Sequence, residues 1–209
     1  YSQLQKNLSL IETNGLYTNN KQFEYSLYNL YTLTGRPSNH FNSINYAAIP
    51  KDDESRSRFV SRFGDNGILI EFDLKAFHIY LLSQLVDYVW PDDDIYAYFG
   101  TLYGVGVNAK DETFHQIYGG IKQEYLQFEF FEKVNNFTNY LYEQYKVNNL
   151  TTILFNRVFT IPNLSKVKVL NYILQSFETE FNAVILNDIQ HYLYTRHRET
   201  KLILYTYDS

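Results

Sequence analysis

Gly67-Ile68-Leu69-Ile70-Glu71-Phe72-Asp73 is the stretch whose reading decides the fold. Ile68, Ile70 and Phe72 share one face and Leu69, Glu71 and Asp73 the other, the period-two alternation of a β-strand. From Lys75 the period changes. Phe77, Leu81, Leu82, Leu85, Val86 and Val89 recur at helical spacing as far as Trp90, and Pro91 ends the run. A strand closed by a carboxylate thus gives way to a helix. Residues Lys201 to Asp208 read the same way, with Leu202, Leu204, Thr206 and Asp208 facing one side.

Between and before these two strands the periodicity is mostly helical. Residues 1–15 read as a helix stopped at Asn14-Gly15, and 16–34 as a strand pair around Asn19-Asn20. Thr34-Gly35-Arg36-Pro37-Ser38-Asn39 is a loop by each local signal. Helices are predicted over about 93–103, over Asn108 to Tyr118, and over 121–146 and 166–195. Strand, helices, strand is an α+β order rather than a chain of βαβ units.

Composition bounds the chemistry. The 209 residues are 45% hydrophobic and 18% aromatic, which marks a folded globular chain with room for one sizeable core or two small lobes. No apolar run reaches the roughly 18 residues of a membrane span, so no membrane role is expected. The absence of Cys excludes disulfides, thiolate zinc sites and cysteine nucleophiles, and an intracellular setting fits. The absence of Met, with Tyr at position 1, suggests an internal piece of a longer protein. A net charge of −5 argues mildly against nucleic acid, but Arg36, Lys51, Arg56, Arg58 and Arg62 concentrate in one early stretch, apart from Asp92-Asp93-Asp94. Each cluster also reads as a solvated face.

Asp73 and Asp208 end strands where apolar surroundings disfavour an ionised group. Two such carboxylates side by side repel unless a cation lies between them, and Mg²⁺ takes a few carboxylate oxygens while water and phosphates fill its octahedron. With 23 acidic residues, many other pairs are open, and two ordinary strand-end aspartates would look the same.

Further segments fall in a telling order. The Thr34-Gly35-Arg36 loop is followed by Asn45 and Ile49-Pro50; Asp94-Ile95-Tyr96 opens a helix; Lys110, Phe114, Tyr118 and Gly119 keep a Lys-x3-Phe-x3-Tyr-Gly spacing. Asn171 and Gln175 follow one turn apart, and Tyr207-Asp208-Ser209 ends the chain. On a helix, positions 110, 114 and 118 form one stripe. An aromatic stripe of this spacing is also what a core-facing helix shows.

In order and spacing, these segments over roughly 20–209 resemble family A DNA polymerases, the DNA polymerase I type. The spacing between motifs is shorter than in the bacterial enzymes, which suggests a phage-like variant with trimmed fingers. The resemblance implies a right-hand palm of antiparallel sheet with packed helices, and helical fingers. Residues 1–33 would lead from the thumb into the palm, 34–93 carry the palm with the TGR segment and motif A, and 94–160 the fingers with motif B. Residues 161–209 would hold the palm's return helix and a truncated motif C strand.

It also implies the site. Asp73, the Leu74 carbonyl and Asp208 would hold two Mg²⁺ ions, and Lys110 would meet the triphosphate, giving a catalytic set of Asp73, Asp208 and Lys110. His78, Phe114, Tyr118 and Gly119 would line the nucleotide pocket, and Thr34, Arg36, Asn45, Asn171 and Gln175 would track primer–template DNA. Three departures stand out. His78 replaces the Glu that usually blocks a sugar 2′-hydroxyl, Gly106 and Val107 stand where a second basic residue precedes the motif B Lys, and Tyr207 and Ser209 flank Asp208 in place of His and Glu.

The implied function is template-directed addition of deoxynucleoside triphosphates to a primer 3′-hydroxyl in DNA replication or repair. A single-subunit RNA polymerase, a catalytically inactive DNA-binding palm, and a two-carboxylate hydrolase are the alternatives. The bulk of His78 together with Phe114 speaks against the first. Retention of Asp73, Lys110 and Asp208 together speaks against the second. The third leaves the Lys-Phe-Tyr stripe unexplained.

Overall fold

A computed structural model describes residues 2–50, 52–148, 150–197 and 199–207, with no account of the Asp53 side chain. The architecture is α+β, with helices carrying the bulk and three small antiparallel hairpins. It divides into two compact units, Tyr1–Leu74 with Glu178–Ser209, and Lys75–Phe177.

In the first unit, α1 (Ser2–Asn14) buries Leu4, Leu8 and Ile11, an i, i+4, i+7 stripe. Gly15 ends it with a positive φ of 62°, and Arg62 donates to the Asn14 and Gly15 carbonyls at 2.7 Å each. These are carbonyls that the helix itself leaves unpaired. β1 (Leu16–Tyr17) pairs with β2 (Phe23–Glu24) about the expected Asn19-Asn20 turn, although Lys21 takes the left-handed position. A second hairpin, β3 (Tyr28–Asn29) with β4 (Ser38–Asn39), was not expected; it places the Thr34–Pro37 loop at its tip.

The early arginines are held by the protein, although Arg58 stays exposed. Arg56, which ends the short helix α2 (Asp53–Arg56), lies over the Tyr46 ring and donates to the Ile49 carbonyl at 3.1 Å, and Arg58 pairs with Glu24 at 2.8 Å. Lys51 lies outside the described residues.

Both motif strands read from the sequence need correction. Residues 67–74 form no strand, and Ile68 is 79% and Phe72 73% exposed. Residues 201–206 form none either. Alternation marks a segment able to pair, but a strand exists only with a neighbour, and among the described residues neither segment has a ladder.

The second unit is organised around aromatics. α3 (Phe77–Leu85) starts after Ala76 at φ 53° and ends five residues before Trp90, because the chain turns at Asp87 (φ 50°) to bring Tyr88 and Trp90 inward. Trp90, Phe99, Phe130 and Phe131 form a cluster in which Trp90 and Phe130 are 4.9 Å apart and Phe99 and Phe130 5.6 Å. α4 (Ile95–Tyr103) is capped by Asp94, whose carboxylate accepts from the Tyr96 and Ala97 amides. α5 (Ala109–Gly119) is capped by Asn108 in the same way, through the Lys110 and Asp111 amides.

The predicted helix over 121–146 splits. A 3₁₀ turn over Gln123–Gln127 precedes α6 (Glu129–Val147), because Phe128 is extended. A third hairpin, β5 (Leu150–Thr151) with β6 (Val158–Phe159), leads to α7 (Lys166–Arg196), whose first turns belong to this unit and the remainder to the first.

Candidate active site

His78, Lys110, Phe114, Tyr118 and Gly119 fall within the second unit, as do Asn171 and Gln175. The core face of α5 is Thr113, Gln116 and Ile117, so the Lys110–Phe114–Tyr118 stripe lies beside it rather than on it. Lys110 is exposed, and Phe114 and Tyr118 are half-buried. The two rings are stacked, with centroids 5.7 Å apart and planes 4° from parallel. Lys110 and Phe114 stand outside the core and are available to a ligand, while Tyr118 packs against the core from its edge.

The lower end of the stripe is tied at two points. His78, buried on α3, hydrogen-bonds through Nδ1 to the Tyr118 hydroxyl, and the rings lie 5.9 Å apart. Asn171 on α7 donates from Nδ2 to the Tyr118 carbonyl at 3.3 Å. Its Oδ1 is buried without a hydrogen-bond partner among the described residues, an acceptor left over for something else. Gln175 is half-buried one turn further on. His78, Phe114, Tyr118 and Asn171 are thus brought together from positions scattered over 75–177.

Lys110 has no ion-pair partner among the described residues, whereas Lys122 is held by Glu112 at 3.4 Å. Gly119 closes α5, but the glycine that the backbone requires is its neighbour. Gly120 has φ 104°, and a Cβ there would stand 3.3 Å from Val167.

Thr34, Arg36, Asn45, Asp73 and Leu74 fall within the first unit, apart from Asn171 and Gln175 in the second. Asp73 is exposed on the stretch that forms no strand, followed by Leu74, which is 40% exposed. Asp208 lies outside the described residues. Among the described residues no three His, Asp or Glu side chains converge. The donors at hand still fit Mg²⁺, since an exposed carboxylate and a backbone carbonyl are hard oxygens and this ion needs only one or two carboxylates beside water and phosphate.

Thr34 is buried and accepts from the Arg36 amide at 3.4 Å, while the Thr32 hydroxyl donates to the Arg36 carbonyl at 2.8 Å. The Arg36 side chain is 30% exposed and pairs with Glu178, Nε to Oε2 at 3.0 Å. Asn45 is exposed and caps a 3₁₀ turn with its carbonyl, its side chain making no capping bond.

Sequence reading missed the residues that hold the 202–207 segment. Tyr28 donates its hydroxyl hydrogen to the Tyr205 carbonyl at 2.9 Å and accepts from the Tyr205 amide at 2.8 Å. Asn14 donates to the Leu202 carbonyl at 2.8 Å, and Asn182 to the Tyr207 carbonyl at 2.5 Å. Burial raises the Tyr205 hydroxyl pKa far above its usual range, so it remains a neutral donor and acceptor. Asn14 was legible only as a helix stop, and no local pattern marks Tyr28 or Asn182 as a partner of this segment.

No protein-family model and no curated protein matches the sequence. The structure is similar to the POL domain of Pol1 from M. smegmatis, solved in complex with DNA primer-template and dNTP. The TM-score is 0.64 at 15% identity, over 99% of this chain and 44% of that one. The likeness is one of fold, and the chain spans less than half the length of that solved structure.

Proposed function

We propose that the chain carries the palm and fingers of a family A DNA polymerase, in a phage-like variant, acting inside the cell on primer–template DNA and deoxynucleoside triphosphates. The observation that carries this reading is the Lys110–Phe114–Tyr118 stripe, whose Lys110 and Phe114 stand off the core and whose Tyr118 is tied to His78 and Asn171. The polymerase-domain fold supports it. Residues 34–93 and 161–209 serve as palm, 94–160 as fingers, and 1–33 lead from the thumb.

In this reading, Lys110 meets the triphosphate and neutralises charge as pyrophosphate leaves. Phe114 and Tyr118 present their stacked faces to base and sugar, with Gly119 closing the pocket. His78 supplies bulk where a ribose 2′-hydroxyl would stand, so deoxynucleotides are preferred. Thr34 fixes the loop from which Arg36 reaches the duplex, and Asn45, Asn171 and Gln175 hydrogen-bond along it. Asp73, the Leu74 carbonyl and Asp208 would hold Mg²⁺ ions, which when bound supply Lewis-acid activation of the primer hydroxyl and charge neutralisation at the phosphates.

Primer extension with Mg²⁺ tests it, comparing the protein with its Asp73→Ala variant on deoxy- and ribonucleotides. Asp73 is exposed and outside any element, so its loss leaves folding intact and abolishes deoxynucleotide extension. Extension by Asp73→Ala at the unsubstituted rate would remove the metal assignment. Preferential use of ribonucleotides would make the protein an RNA polymerase, and a folded protein that binds DNA but extends nothing would make it an inactive palm.

A further inference from the structure

Tyr207 has a backbone φ of 62°, a left-handed conformation that a bulky non-glycine residue adopts only when its surroundings enforce it. No strand ladder does so, since residues 201–206 form no strand. Two side chains stand in. Asn182 donates to the Tyr207 carbonyl at 2.5 Å, and the Arg36 guanidinium lies over the Tyr207 ring, 3.9 Å from its centroid.

Arg36 is itself aimed from behind. Its Nη2 donates to Glu178 Oε1 at 3.4 Å, and its Nε lies 3.0 Å from Oε2 in an ion-pair contact without hydrogen-bond alignment; the carboxylate side chain is only 2% exposed. An ion pair with one partner buried holds the planar guanidinium against the ring. The Tyr205 hydroxyl, which accepts from Asn182 at 3.2 Å, links the same amide to the buried Tyr28–Tyr205 contact.

We infer that Arg36 is a positioning residue. Held by Glu178, it clamps the Tyr207 ring and so keeps the 202–207 segment on its path in the absence of strand pairing. The inference rests on the proposed function for its consequence, since Asp208, which that reading makes a metal ligand, follows Tyr207 in the chain. It also divides the labour of one side chain. The Glu178-facing edge and the ring-facing plane serve the protein, and the N–H groups not used there are what a duplex can meet.

The test pairs a structural readout with a kinetic one in four variants: Arg36→Lys, Glu178→Gln, Tyr207→Leu and Tyr207→Phe. Amide hydrogen exchange over 202–207 reads the clamp directly. Arg36→Lys keeps the charge but loses the plane that lies over the ring, and Tyr207→Leu loses the ring. Both raise exchange there by about tenfold or more, the size of one contact's contribution to local stability, with global unfolding unchanged.

Glu178→Gln does the same more weakly, and Tyr207→Phe, which keeps the aromatic face, exchanges like the unsubstituted protein. In primer extension the first two variants lower kcat with little change in KM for the nucleotide. Unchanged exchange in Arg36→Lys and Tyr207→Leu overturns the inference. So does a loss confined to DNA affinity, which would make Arg36 a duplex contact only. A protein that extends no primer refutes the proposed function instead, and the exchange comparison still decides the clamp.

Discussion

Lys110→Ala separates binding chemistry from folding because the structure gives the side chain no structural duty. Lys110 is exposed in the first turn of α5, and no ion pair is lost with it among the described residues. Its backbone amide, which Asn108 caps at 3.1 Å, is untouched by the substitution. Alanine is the better helix former by a few tenths of a kcal/mol, and removing a cation near a helix N-terminus is mildly favourable. The melting temperature is therefore expected to stay level or rise slightly. If the ammonium meets the triphosphate, a charge-assisted contact of about 1.5–3 kcal/mol is lost, which corresponds to roughly 10- to 160-fold in kcat/KM. Single-nucleotide incorporation at varied nucleotide concentration measures it, with Lys110→Arg recovering part of the loss. A folded Lys110→Ala protein with kcat/KM within about twofold of the parent would remove Lys110 from the site, and with it the functional reading of the stripe.

Phe130 is fully buried against Trp90, Phe99, Phe131 and Tyr88, so Phe130→Ala should cost about 3–5 kcal/mol in urea unfolding; a loss below about 1 kcal/mol would mean the aromatic cluster is not the core. Asn108→Ala leaves the Lys110 and Asp111 amides uncapped and should cost about 1 kcal/mol by the same assay, with Asn108→Asp close to neutral. The Ala97 amide, helped by Lys75 and the Tyr96 amide, holds the Asp94 carboxyl below the usual carboxylate range. A depressed folded value means stability that is present above the unfolded pKa and lost as pH falls through the folded one, below about pH 4. Asp94→Asn should flatten that acid limb in thermal melts, and an unchanged pH profile would contradict it.

The helices were legible because their signals are local. Asp94 and Asn108 are capping residues within three positions of the amides they satisfy, and Asn14-Gly15 ends α1 where the pattern says. α3 shows where local reading fails. Val86 and Val89 continue the helical period, but burial of Tyr88 and Trp90 in the aromatic cluster outweighs the few residues of helix given up. The 121–146 segment fails for a related reason. After Gly120 turns with φ 104°, the Lys122 amide is taken by the Gln116 side chain at 2.8 Å, and α6 must begin afresh after Phe128.

The same distinction runs through the site. Lys110, Phe114 and Tyr118 were legible as a set because one helix spaces them, and only the structure could say that Thr113, Gln116 and Ile117 take the core instead. Period-two alternation over 67–73 and 201–208 carries less, because it states which face a segment would show to a neighbour and not whether a neighbour exists. What holds the second segment is a set of contacts at sequence separations that no window spans. Arg36 meets Glu178 across 142 positions, and Tyr28 meets Tyr205 across 177. A buried carboxylate such as Glu178 needs a cation, and Arg36 is that cation, so its place in a Thr-Gly-Arg loop reflects internal charge balance as much as any outside partner. A residue that such a loop suggests for DNA is thus committed in part to the protein itself.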